Sequence, residues 1–132
     1  MALPISVSFE INVKGEITGR EYVGLFEAKT KTSVMDTLEE DRLSRRVLGE
    51  NPKDASDDAK RIAEAYAYLQ IRLIKFPDWW KEAGHGLGLE DLGVLAMVNN
   101  TARAKIGAEY EKLAAEADAA KKGLKEEAAK LG

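Results

Sequence analysis

Cysteine is absent from this sequence of 132 residues, and with it go disulfides, thiolate nucleophiles and cysteine-based zinc sites. Histidine occurs once, as His85 between Gly84 and Gly86. General-base work needs a partner that orients the imidazole, and no Ser or Cys nucleophile lies in a motif around it. His85 therefore reads as a surface-loop residue. No apolar run approaches the roughly 20 residues of a membrane-spanning helix. Met1 to Pro4 leads directly into polar–apolar alternation, unlike the basic and then apolar segments of a secretory signal, so a cytosolic protein without a membrane partner is expected. An excess of positive charge is also lacking. The formal net charge is −3, whereas nonspecific phosphate binding relies on clustered Lys and Arg that release counterions; nucleic acid is not an expected partner.

The motifs that carry chemistry fail one by one. Gly84, Gly86 and Gly88 follow a helical segment and not a strand, so they make no dinucleotide fingerprint. Gly19 and Gly24 have phosphate-loop spacing, but Leu25 stands where Lys is required. Glu39, Glu40, Asp41 and the Asp57–Asp58 pair fall where helix capping and solvation account for them. No segment supplies alternating oxygen ligands closed by a Glu, as a hard-cation loop requires. The expectation is a non-enzyme with no catalytic residue, no cofactor and no metal.

What the sequence does contain is pattern. Ile5, Val7, Phe9, Ile11 and Val13 alternate with Ser6, Ser8, Glu10, Asn12 and Lys14, which predicts a half-buried strand. Gly15 and Gly19 bracket a turn, and Tyr22, Val23, Leu25 and Phe26 predict a second strand and a hairpin. Thr32 or Ser33 caps a helix over Val34–Leu48, with Asp36 completing a capping box behind Ser33; Gly49 ends it and Pro52 lies beyond. The run Glu50 to Asp58 is a loop, from which Asp54 or Ser56 starts the next helix. Ile62, Tyr66, Leu69, Leu73 and Phe76 form one stripe on a helix from about Ala55 to Lys75. Tyr68 and Ile71 lie off that stripe, so this helix is central or sits at a subunit contact. Pro77 halts it, and Asp78 caps a turn bearing Trp79 and Trp80. From Leu89 onward a long helix or helix pair is expected, with Leu92, Leu95, Met97, Val98 and Ile106 available for packing. The predicted fold is mainly α: an N-terminal β-hairpin packed on a small helical domain over residues 1–110, with a long C-terminal helix or helix pair. Residues 111–132, rich in Ala, Glu and Lys, form a fraying or partner-dependent helical tail.

Candidate interaction residues follow from surplus apolar surface. Adjacent tryptophans diverge by about 100° on a helix, so Trp79 and Trp80 do not readily share one small pocket. One should anchor the fold while the other is semi-exposed or buried by a partner, since Trp is enriched at binding hot spots. Tyr68 and Ile71 extend the apolar surface, and Arg42, Arg45 and Arg46 form either a solvated helix face or a patch for an acidic partner. Self-association is expected.

In the order of its elements the chain resembles the tail assembly chaperones of long-tailed (siphovirus-type) bacteriophages. The likeness rests on the hairpin residues "YVGLFEAKT", the capped helix ending at Gly49, the helix "AKRIAEAYAYLQIRLIKFPDWW", a glycine loop, and "LEDLGVLAMV", and it extends to about Tyr110. The resemblance implies a protein of the infected bacterium's cytoplasm that binds the tape-measure protein, keeps it soluble while tail-tube subunits assemble, and is left out of the mature virion. It also implies a longer product of ribosomal frameshifting that recruits the tail-tube protein, with Lys121–Lys122 as a place where a run of A could let ribosomes slip. The competing expectation is a structural tail or head–tail component retained in the particle.

Overall fold

The alternating segment forms strand β1 (Ser6–Lys14), paired antiparallel with β2 (Glu21–Lys29) in a register running from Ser6↔Lys29 to Lys14↔Glu21. The computed structural model describes residues 2–49 and 51–131, so Met1, Glu50 and Gly132 lie outside the described residues. Because side chains alternate between the faces of a strand, Phe9 and Ile11 of β1 and Tyr22, Phe26 and Ala28 of β2 are buried together on the inner face. Phe9 and Phe26 are register partners and stack with ring centroids 5.3 Å apart.

Helix α1 (Val34–Leu48) begins at the predicted capping box: Asp36 N donates to Ser33 Oγ and Ser33 N to the Asp36 carboxylate, each at 3.0 Å. Lys29 adds an ion pair to Asp36 at 2.8 Å, and these contacts, Lys29 foremost, hold the Asp36 carboxyl below its ordinary pKa. Gly49 ends the helix at φ +84°, a conformation open to glycine at little cost. Ser56, and not Asp54, caps helix α2 (Asp57–Arg72); Asp54 belongs to a 3-10 turn over Pro52–Asp54.

Helix α2 ends earlier than its apolar stripe predicts. Leu73–Lys75 leave the helix and form a third strand, β3, which pairs antiparallel with β2 at Glu27 and Ala28 across a bulge, giving the sheet order β1-β2-β3. Pro77 biases the residue before it away from helical backbone, and the open edge of β2 offers the preceding residues hydrogen-bond partners. As expected of a central helix, α2 packs against α1, the last helix and β2. Its fully buried residues are Ala63, Ala65, Ala67, Tyr68 and Leu69. Of the predicted stripe only Leu69 is completely buried; Ile62, Tyr66, Leu73 and Phe76 are half-buried. Three small alanines let neighbouring elements approach closely, and that decides which face becomes the core.

The short helix α3 (Asp78–Glu82) takes Pro77, and not Asp78, as its cap residue. A 3-10 turn over Gly84–Gly86 follows. The C-terminal segment is one helix, α4 (Leu92–Leu131), and not a pair. Val94, Leu95, Val98, Ala102 and Ile106 of α4 are buried, and the Tyr110 hydroxyl donates to the Thr30 carbonyl at 2.9 Å. Leu113 is half-buried, and residues 114–130 are all exposed, a free length of about 25 Å at the helical rise. No helix among the described residues is long and apolar enough to cross a membrane.

Candidate partner-binding surfaces

Both tryptophans pack inside the chain. Trp80 is 1 % exposed and meets Phe26 edge-on at 5.6 Å, while Trp79 meets the same ring at 5.8 Å and Tyr22 at 5.1 Å. The two indoles lie 6.1 Å apart and nearly perpendicular; Trp80 anchors the fold and Trp79 stays half-buried, yet both rings pack on Phe26. Phe26 serves both, because a T-shaped geometry lets one ring take several edges. The half-buried Trp79 also donates its indole N–H to the Val23 carbonyl at 2.9 Å, in the stretch of β2 that β3 leaves unpaired. Glycines make room for this arrangement. A Cβ on Gly24 would lie 2.6 Å from Pro77 Cγ, and one on Gly86, at φ +104°, would lie 2.8 Å from Trp80 Cη2.

Tyr68, expected as a contact for a partner, is 7 % exposed. The guanidinium carbons of Arg72 and Arg103 lie 3.8 and 3.9 Å from its ring centroid. Two such groups cannot share one face of the ring without overlapping, so they sandwich it. Arg72 also pairs with Glu40, which ties α1 to α2, while Arg103 brings in α4. Burial pushes the Tyr68 phenol up from its ordinary pKa, with the two arginines opposing. Ile71 is half-buried. Arg42, Arg45 and Arg46 are exposed on α1, but Arg42 pairs with Glu39 and Arg45 with Asp41, both at 3.1 Å. The basic patch is thus partly neutralised by its own helix. His85 adopts φ +57° and meets Phe76 edge-on at 5.2 Å.

Asp91 is a polar residue whose role sequence spacing does not disclose. It is 2 % exposed and sits just before α4, accepting hydrogen bonds from Ile17 N at 2.7 Å, Thr18 N at 3.2 Å, Thr18 Oγ1 at 2.6 Å and the Tyr22 hydroxyl at 2.9 Å. Gly15 clears its path, since a Cβ there would fall 2.2 Å from the carboxylate. The donors, Thr18 first, hold the Asp91 carboxyl below its ordinary pKa. This clamp fastens the hairpin turn to the start of α4.

Among the described residues two concave surfaces are left open, and one, of about 430 Å³, lies at the clamp itself with Val13, Ile17, Leu92 and Met97 among its lining. Between α2 and the N-terminal half of α4 lies a groove of about 460 Å³ with Ile62, Ala65, Leu92 and Leu95 among its lining and a polar margin of both signs, Asp58 and Glu64 beside Arg61 and Arg103, together with Asn99. Leu92, expected to pack, is 52 % exposed, and Met97 is likewise exposed. The buried residues Leu95, Val98, Ala102 and Ile106 define the core-facing line, and Leu92 and Met97 fall off it. A second exposed apolar group, Val34, Met35 and Leu38, opens the outer face of α1, a helix that buries no residue completely.

Among the described residues no group of His, Asp and Glu side chains is placed to hold a metal ion. Comparison with protein-family models, curated proteins and solved structures finds no match.

Proposed function

We propose that this chain is a non-enzymatic, client-binding assembly chaperone of the phage-tail kind that its sequence resembles, whose client is the amphipathic helix of a tape-measure protein. The observation that carries the reading is the α2–α4 groove. Its aliphatic floor and its margin of mixed charge, Arg61 and Arg103 with Asp58 and Glu64, suit an amphipathic helix, which presents apolar anchors at i, i+3, i+4 and i+7 between polar flanks. A long tape-measure helix exposes such anchors repeatedly, so several chaperone copies seated along it would cover the stripe that otherwise aggregates. The exposed tail of α4 fits the same reading. Lys121 and Lys122 lie where residues contact no core, so a frameshifted extension that recruits the tail-tube protein leaves the folded part intact.

Coexpression tests the proposal. The chain should raise the soluble yield of the tape-measure protein and copurify with it, and Leu92→Arg, which places a charge on an already exposed groove residue, should abolish both effects while the variant stays folded. An unchanged client yield and no complex would refute the reading. Detection of the chain at structural stoichiometry in purified virions would favour a retained tail component instead.

A further inference from the structure

We infer that the α2–α4 groove selects its client helix through Arg103, a guanidinium preorganised for a carboxylate on the flank of that helix facing α4. The inference rests on the groove being the client's seat. Four charged side chains stand among its lining, Asp58, Arg61, Glu64 and Arg103. Asp58 and Arg61 answer each other at 3.9 Å. Among the described residues Glu64 and Arg103 have no ion-pair partner. Pairing the exposed Glu64 means ordering a long side chain, a cost that leaves most surface ion pairs with little net effect.

Arg103 is already ordered. Its guanidinium carbon lies 3.9 Å from the Tyr68 ring centroid, and its Nε donates to Asn99 Oδ1 at 3.2 Å. Arg72, stacked on the same ring, is engaged by Glu40 and the Tyr68 carbonyl. The two terminal nitrogens of Arg103 meet no acceptor among the described residues, and the side chain is exposed. A planar fork fixed in this way takes a carboxylate bidentately, with little further ordering needed on binding. Arg103 follows Leu95 of the groove by eight residues, about 12 Å at the helical rise, so the acid belongs about two turns from the apolar residue seated at Leu95. Glu64 on the α2 side repels an acid on the opposite flank. The fitting client segment is an amphipathic helix whose apolar stripe carries Asp or Glu along one flank and neutral or basic residues along the other.

Fluorescence anisotropy with labelled helical peptides tests this. Each peptide carries leucines at i, i+3, i+4 and i+7, with one Glu moved stepwise along its polar flanks, and each has a Gln counterpart. At one position Glu should bind the unmodified chain about tenfold tighter than Gln. Arg103→Gln should erase that preference while leaving the affinity of the Gln peptide unchanged. Arg103→Lys should keep only part of it, since an ammonium retains the charge and loses the fork. Equal affinity of Glu and Gln at every position, or a preference that survives Arg103→Gln, would overturn the inference and leave the groove reading standing. Binding of no peptide at all would remove both.

Discussion

At Gly24 the missing side chain is itself the contact, since Pro77 occupies the place where a Cβ would stand. Gly24→Ala should therefore destabilise the fold by about 1–3 kcal/mol, the usual cost of forcing extra volume into a close-packed site, measured as a lower urea midpoint. Trp80→Ala should cost about 3–5 kcal/mol, a large share of the roughly 5–15 kcal/mol that typical domains possess. Asp91 gives a pH signature. Its folded pKa is lowered, so its contribution is complete above the unfolded value near 3.8 and is lost as pH falls through the folded value. Asp91→Asn should melt lower at neutral pH and show a shallower loss of stability on acidification; Asp36, also lowered, should leave a residual slope. An unchanged slope in Asp91→Asn would show that the clamp is not ionised in the way its donors imply. None of these roles is legible locally. The donors to Asp91 lie about seventy residues away in sequence, and Gly24 reads as one more strand residue until Pro77 is brought beneath it.

Secondary elements were far more legible than the contacts between them. Ser33 with Asp36 specified the start of α1 because a capping box is a local event, and Ser33→Ala should cost about 1 kcal/mol, checked by chemical denaturation. Strand alternation from Ile5 to Val13 likewise depends on nothing remote. The boundary at Arg72 was not readable, since Leu73 and Phe76 continue the helical period while the edge of β2 competes for the same backbone. Trp79 and Trp80 mark one anchor and one half-exposed ring, but not what they pack against. Their aromatic partners are Tyr22 and Phe26 in the hairpin, and only tertiary structure brings them there. The candidate groove was hidden for a related reason: Leu92 looks like a core residue until the line through Leu95, Val98, Ala102 and Ile106 assigns the buried face.

Across the whole molecule, the mainly α architecture with an N-terminal hairpin and a long terminal helix follows from composition and periodicity, while the apolar surfaces left exposed do not. Sequence reasoning placed the surplus apolar surface at Pro77–Trp80, whereas the structure spends that surface on its own sheet and leaves Leu92, Met97 and the outer face of α1 exposed.

The indole of Trp79 on the Val23 carbonyl has a bearing on solubility. A strand edge with unsatisfied carbonyl and amide groups is a template for recruiting foreign strands. By donating to the Val23 carbonyl where β3 stops, Trp79 occupies one acceptor that such a strand would use. A chain lacking that indole would be expected to fold and yet precipitate on mild heating.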